Sequence, residues 1–166
     1  VTLGVLAVLA ALAAPGLGAL MDRWQVRQTI EELRSTLHFA RSEAIRHGGR
    51  VVVQKLPAGP RNCSSSNSQD WSCGWFVCLD SNKNGTCDED EQTLQQHSAS
   101  SGVVVRRTGG GATIRFNRWG LVSGTFLGFG IAPAKAGPMH AAARGLCMSP
   151  GGRIRVNPPA AAPCAS

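Results

Sequence analysis

The feature that most constrains the fold is a helical pattern over roughly the first 47 residues. Residues 3–20 form an uncharged apolar run of roughly 18 residues, just short of the about 20 that cross a bilayer. Charged residues such as Arg34 and Arg41 follow, and Gly48-Gly49 supplies a stop signal. Between them, apolar residues recur at three- and four-residue steps on one helix face: Val26, Ile30, Leu33, Leu37, Ala40 and Ala44. One helix of about 45 residues would be about 68 Å long, far longer than a small domain needs.

The two halves of this helix differ in character. We divide the chain into residues 1–22, an apolar half suited to a membrane or a helical bundle, and residues 23–166, an amphipathic half followed by a globular head. Pro15 removes a backbone hydrogen bond, which predicts a kink or a melted stretch. A cleaved signal peptide is the alternative for the apolar run. The run has no basic segment before it and the helical pattern continues beyond it, so we favour one long helix.

The head is predicted to be rich in strands. The chain has 20 glycines and 9 prolines, typical of a turn-rich β protein. Runs of β-branched and aromatic residues between polar turns predict strands at 50–56, 74–79, 93–96, 103–107, 112–117, 126–131, 144–148 and 153–156. A long helix followed by antiparallel strands indicates an α+β fold, with the helix packed on a small antiparallel sheet.

Positive charge is concentrated in the second half of the chain. Residues 1–91 contain 9 Lys/Arg and 10 Asp/Glu, whereas residues 92–166 contain 8 Lys/Arg and no acidic residue. Such a region attracts polyanions such as nucleic acid or anionic lipid, although a solubilising surface has the same composition. The four histidines lack the spacing of a metal site or of a nucleophile and its base, so an enzyme is not expected.

All cysteines of the chain fall after position 60 and are candidates for disulfides: Cys63, Cys73, Cys78, Cys87, Cys147 and Cys164. An even number in a small domain behind a membrane segment indicates an oxidising compartment. Zinc is disfavoured because the sequence has neither a C-x₂-C pair nor an H-x₃₋₅-H pair.

Several motifs together resemble one family. The N-terminal VTLGVLAVLAALAAP is followed by Ala40-Arg41-Ser42-Glu43-Ala44, and the head contains the Trp71-x-x-Gly74-Trp75 and Gly152-Arg153-Ile154-Arg155 elements. These residues resemble the FimT/GspH family of type IV minor pilins and type II secretion pseudopilins. The resemblance covers nearly the full chain and implies the type IV pilin-like fold.

The resemblance also implies a life cycle. Other pilins would be partners through the N-terminal helix, whose residues 1–22 would enter a filament core. The protein would be held in the bacterial inner membrane with its head in the periplasm, and would then move to the pilus and the cell surface. Matching Pro15 to the family's proline places about seven further residues before Val1. Those would carry the prepilin-peptidase cleavage point, the N-methylated residue and a glutamate near the mature N-terminus. Within this fold, Cys78 and Cys87 would bracket a turn and Cys147 and Cys164 the last strand, two of the pairings among the 15 connectivities that six cysteines allow.

A polar loop after the second predicted strand matches calcium-loop spacing. The match D-x-[DN]-x-[DN]-G-x₅-E runs from Asp80 to Glu91. The oxygen ligands would be Asp80, Asn82, Asn84, Asp88 and Glu91. Strands rather than helices flank the loop, and a hairpin whose acids face water is the alternative. No cofactor is required by the sequence; calcium is the one candidate.

The sharpest functional hypothesis concerns Gly152-Arg153-Ile154-Arg155. Residues i and i+2 of a strand face the same side, so Arg153 and Arg155 would present two guanidiniums that fit phosphate oxygens. In FimT-type proteins this element is associated with binding DNA during uptake, and the resemblance extends that role to Arg153 and Arg155. Further support is expected from Arg106, Arg107 and Arg144. We therefore expect a minor pilin that binds double-stranded DNA non-specifically for natural transformation. The alternative is a structural GspH-like pseudopilin of a type II secretion system that does not bind DNA.

Overall fold

A computed structural model describes residues 2–59, 65, 67–98, 100–124, 127–159 and 164. The predicted long helix is confirmed as α1, which runs from Thr2 to Arg46 and is 45 residues long. Its backbone is helical through Pro15, so no melted stretch interrupts it. The side chains of residues 2–16 lie outside the described part, and with them most of the predicted apolar run. Within the described part of the chain, no helix is both long and apolar enough to cross a membrane.

The predicted stop signal ends α1. The N–H of Gly49 donates to the carbonyl oxygen of Ala44 at 2.7 Å, and both Gly48 and Gly49 have positive φ angles. Glycine favours this left-handed conformation because it has no Cβ. A methyl group on Gly49 would lie 2.6 Å from the backbone nitrogen of Arg118. The end of the helix is therefore packed directly on a turn of the head.

In the described part of the chain, eight strands follow α1, and each contains most of a segment predicted from the sequence. They are β1 (Val51–Lys55), β2 (Gly74–Leu79), β3 (Thr93–Ser98), β4 (Val103–Arg107), β5 (Thr113–Phe116), β6 (Leu127–Pro133), β7 (Arg144–Met148) and β8 (Ile154–Asn157). They form two antiparallel sheets rather than one, with strand orders β3-β2-β1-β5 and β4-β6-β7-β8. The predicted α+β class holds, but the described strands of the head form two sheets.

The predicted apolar stripe of α1 is buried against both sheets. Leu33, Leu37, Ala40 and Ala44 are fully buried. They belong to one core with residues of both sheets, including Val53 and Phe116 from the first sheet and Phe129, Leu146 and Met148 from the second. The indole N–H of Trp75 donates to the hydroxyl of Thr36 at 3.0 Å, which adds a buried polar link between α1 and β2.

Both suggested disulfide pairings are confirmed. Cys78 is bonded to Cys87, and Cys147 is bonded to Cys164. Cys73 is also disulfide-bonded, whereas Cys63 lies outside the described residues. The Cys147–Cys164 bond ties Cys164 to β7, next to β8, which contains Arg155 and directly follows Arg153.

Candidate nucleic-acid interface

Arg153 and Arg155 lie along the edge of the second sheet. Among the described strands, β8 pairs with β7 alone and forms that edge. Ile154 is opposite Met148 and packs on the core, so the alternation of side chains sends Arg153 and Arg155 to the outer face. Both arginines are exposed. Among the described residues, neither guanidinium has a hydrogen bond or an ion pair.

A tight turn fixes the start of this strand. The N–H of Ser149 donates to the carbonyl oxygen of Arg153 at 3.0 Å, and the N–H of Gly152 donates to the carbonyl oxygen of Ser149 at 2.8 Å. Gly152 is buried and has a φ of 84°. The Arg153 N–H also donates to the Ser149 hydroxyl at 3.2 Å. Gly152 thus sets the direction in which the chain leaves the turn. We call residues 153–157, which contain Arg153, Arg155 and β8, the arginine strand.

Arg41 of α1 packs against this turn. Its Nη1 donates to the carbonyl oxygen of Gly151 at 3.4 Å. A methyl group on Gly152 would lie 2.8 Å from Arg41 Cζ, and one on Gly120 would lie 2.7 Å from Arg41 Cγ. The stem of Arg41 therefore contacts the turn at Gly120 while its guanidinium covers the turn at Gly152. Sequence reasoning treated Arg41 as an ordinary charge on the helix surface, and the residue is instead a bridge between two turns of the head.

The turn at Gly120 carries an exposed tryptophan. The Asn117 side-chain oxygen accepts from the N–H groups of Trp119 and Leu121, both at 3.0 Å. Trp119 is 61% exposed. The guanidinium of Arg118 lies 4.3 Å from the centroid of the Trp119 ring, a cation–π contact. Sequence reasoning did not single out Arg118 or Trp119, because one tryptophan in a polar turn carries no periodic signal.

The three supporting arginines fall into different environments. Arg106 and Arg144 both line a pocket of about 420 Å³ whose other walls are mainly alanine, glycine and proline. Arg106 is exposed on edge strand β4, and Arg144 Nη1 donates to the carbonyl oxygens of Ala141 and Ala143. The pocket and Arg153/Arg155 are separate features of the second sheet.

The Arg107 side chain is partly buried and hydrogen-bonded within the head. Its Nη1 donates to the carbonyl oxygens of Gly111 and Thr113, each at 2.7 Å. Its guanidinium lies 5.9 Å from the centroid of the Trp71 ring, and burial lowers the pKa of the Arg107 guanidinium. These contacts give Arg107 a structural role, so we leave it out of the interface.

The predicted calcium loop is closed by its own hydrogen bonds. Buried Asp80 accepts from the N–H groups of Asn84 at 3.1 Å and Gly85 at 2.9 Å. The Glu91 carboxylate accepts from the Ser81 N–H at 2.6 Å, and Asp88 accepts from the side-chain amides of Asn82 and Asn84 at 2.8 and 2.7 Å. Within the described residues, no group of three or more His, Cys, Asp or Glu is arranged to hold a metal ion. Calcium binding stays a prediction.

A sequence model of one family, described as the type II transport protein GspH, matches residues 29–157. The chain belongs to the GspH family. The matched region begins in the amphipathic half of α1 and includes both sheets, the turn at Gly120 and the arginine strand. The resemblance noted from the sequence is thereby confirmed. No curated protein sequence matches the chain.

Solved structures show the same fold. Two crystal structures of the type IV minor pilin FimU of Pseudomonas aeruginosa are similar to this GspH-family chain. One has a TM-score of 0.60 at 21% identity and covers 86% of this chain and 96% of FimU. The other has a TM-score of 0.57 at 22% identity and covers 84% of this chain and 98% of FimU. The minor pseudopilin EpsH of the Vibrio cholerae type 2 secretion system has a TM-score of 0.54 at 14% identity, with 81% of this chain and 98% of EpsH covered. These likenesses confirm the type IV pilin-like fold.

Proposed function

We propose that this chain is a minor pilin of a type IV pilus that binds double-stranded DNA without sequence preference during natural transformation. Arg153 and Arg155 are the main contacts, and the turn at Gly152 aims them. The observation that carries the proposal is a pair of exposed guanidiniums, on Arg155 of edge strand β8 and on Arg153 directly before it, without a partner among the described residues. A structural arginine would be expected to have such a partner, as Arg107 does.

The chemistry of these two side chains matches the phosphate backbone. Alternate residues of a strand are about 6.6 Å apart, since each residue advances about 3.3 Å. Guanidiniums at this separation can each contact a phosphate of the same duplex, because an arginine fork matches phosphate oxygens bidentately. No acidic residue occurs in residues 92–166 to compete for the guanidiniums. Contacts to phosphates carry no base information, so the binding should be independent of sequence.

Replacement of both arginines tests the proposal. We expect Arg153→Gln with Arg155→Gln to weaken binding of a random duplex on the order of tenfold or more at 0.1 M salt. The variant makes two fewer phosphate contacts and therefore releases fewer counterions on binding. The slope of log K against log salt should become shallower by about two units. Titration of the full chain in a nonionic detergent by fluorescence anisotropy, at several salt concentrations, measures both quantities.

A matched control separates a site from net charge. Arg27 and Arg34 are exposed on α1, and Arg34 lies 3.9 Å from Glu31. Replacing both with glutamine removes the same charge far from the arginine strand in sequence. If the two double variants lose affinity equally, the protein binds DNA by net charge alone and the proposed site does not exist.

The family description and the likeness to EpsH favour a second function, a structural pseudopilin of a type II secretion system. In that case the arginine strand contacts another protein of the filament. Failure of the unmodified chain to bind DNA at low salt would favour this function over the first.

Both functions use the same assembly route. We propose that residues 1–22 pack with the helices of other pilins in a filament core and are held in the inner membrane before assembly, with the head in the periplasm. Prepilin peptidase would process the precursor. This rests on membership of the GspH family and on the exposed apolar side chains Leu17, Leu20 and Met21 at the described start of the helix. No catalysis or cofactor is assigned.

A further inference from the structure

Trp119 is an exposed aromatic residue next to the guanidinium of Arg118. An indole has a large apolar surface whose burial against a partner is favourable. Arg118 stacks on the ring, and the remaining surface of the residue is open, with 61% exposed. An aromatic ring beside arginines is the combination that binds single-stranded nucleic acid, in which unpaired bases stack on the ring.

The turn that carries Trp119 is rigid. Asn117 caps it through two side-chain hydrogen bonds, and the Gly120 N–H donates to the Asn117 carbonyl oxygen at 2.9 Å. The end of α1 packs on its backbone at Arg118. A ring held on a fixed turn loses little conformational entropy when a base stacks on it, which favours binding.

Arg41 connects this turn to the arginine strand. The stem of Arg41 contacts Gly120 and its guanidinium contacts Gly152, so both glycines border the same arginine side chain. Trp119 directly precedes Gly120, and Arg153 directly follows Gly152. The nearest acidic residue along the helix, Glu43, is paired with Arg46 and His47. The region between the two turns is therefore basic, with one exposed ring.

From this arrangement we propose that Trp119 is a stacking site for an unpaired base, so that the head binds single strands and frayed DNA ends in addition to the duplex backbone. Arg118 and Arg41 neutralise the phosphates next to the stacked base. The proposal rests on the DNA-binding function proposed above and adds a substrate class to it. The positive charge of Arg118 and the ring of Trp119 are complementary to a polymer that has negative phosphates and aromatic bases.

Tryptophan fluorescence gives a direct test. Trp71 and Trp75 are fully buried, whereas Trp24 on α1 is 59% exposed. Replacing Trp24 with phenylalanine, in the full chain in nonionic detergent, therefore leaves Trp119 as the exposed tryptophan among the described residues. Adding oligo-dT should quench its emission, because thymine stacks on the indole. A duplex with the same number of phosphates, closed by hairpin loops made of non-nucleotide linkers, should quench it far less.

Affinity measurements complete the test. Trp119→Ala should weaken oligo-dT binding about tenfold and change closed-duplex affinity less than twofold, and Trp119→Phe should restore most of the loss. Equal affinity of Trp119→Ala and the unmodified chain for oligo-dT, or an unquenched Trp119, overturns the stacking site even if Arg153→Gln with Arg155→Gln still loses duplex binding. A Trp119→Ala variant that keeps all DNA binding but fails to enter filaments identifies the turn as a pilin contact and also overturns it. If the unmodified chain binds neither DNA, the proposed function itself has failed.

Discussion

Gly152 connects backbone geometry to the position of the arginines. Its φ of 84° lies in the left-handed region, which costs a residue with a Cβ roughly 1–2 kcal/mol. The guanidinium of Arg41 also occupies the space into which a Cβ would project. The left-handed conformation favours glycine here, and a Cβ would displace the Arg41 guanidinium, both for reasons independent of any contact with DNA.

We therefore expect Gly152→Ala to lower the melting temperature of the head and to reduce duplex affinity, because the turn must shift and Arg153 and Arg155 shift with it. Gly151→Ala is the control. A methyl group on Gly151 meets only the Ser149 hydroxyl at 3.9 Å, which is ordinary contact. Thermal melting and anisotropy titration of both variants decide the point. If Gly152→Ala melts and binds like the unmodified chain, the turn does not position the arginines.

Single residues were the least predictable level of this structure. The sequence identified Arg153 and Arg155 because they alternate within a strand, a spacing that carries information about which face they share. It could not separate Arg107, which is engaged with Gly111 and Thr113, from exposed Arg106. Nor could it find the contact between Arg41 and Gly151, which are 110 residues apart. Such contacts depend on how the elements pack and leave no local signal.

At the scale of elements, the strands could be predicted but their grouping could not. Alternation and turn residues located every strand of the described residues, since these signals are local. The grouping depends on β5, which leaves its sequence neighbours β4 and β6 to pair with the distant strand β1. The loop between β2 and β3 keeps two interpretations. Its sequence has the spacing of a calcium-binding loop, and its polar side chains form hydrogen bonds within the loop itself.

The loop gives a prediction about Asp80. Its carboxylate satisfies two backbone N–H groups and is buried, so Asp80→Ala should destabilise the head by about 1–3 kcal/mol even in chelator. A bound calcium ion would in addition raise the melting temperature of the unmodified chain as its concentration increases. Calorimetry in chelator and in millimolar calcium separates these effects. Identical curves for the unmodified chain contradict calcium binding, and an unchanged stability of Asp80→Ala contradicts the structural role of the carboxylate.

At the scale of the whole molecule, α1 is the element that joins the two sheets. Its buried stripe contacts core residues from both of them, so the head has one shared core. The pattern that predicted this stripe, six apolar positions at helical spacing, is also the reason that the fold class could be read from the sequence. What covers the stripe could not be read, because a helix face carries no information about the number of sheets against it.

Leu37 tests the shared core. It lies in the middle of the stripe and is fully buried. Leu37→Ala should cost about 2–5 kcal/mol for lost contacts and the cavity left behind, and Leu37→Asp should cost more because an unpaired charge would be buried. Ser35→Asp introduces the same side chain on the exposed face of α1 and should change the melting temperature little. Because both sheets pack on one helix, Leu37→Asp should abolish the near-ultraviolet signals of buried Trp71 and Trp75 in a single transition. Separate loss of the two signals would mean that the sheets are stabilised independently, and an unchanged melting temperature would mean that this face of the helix is not packed.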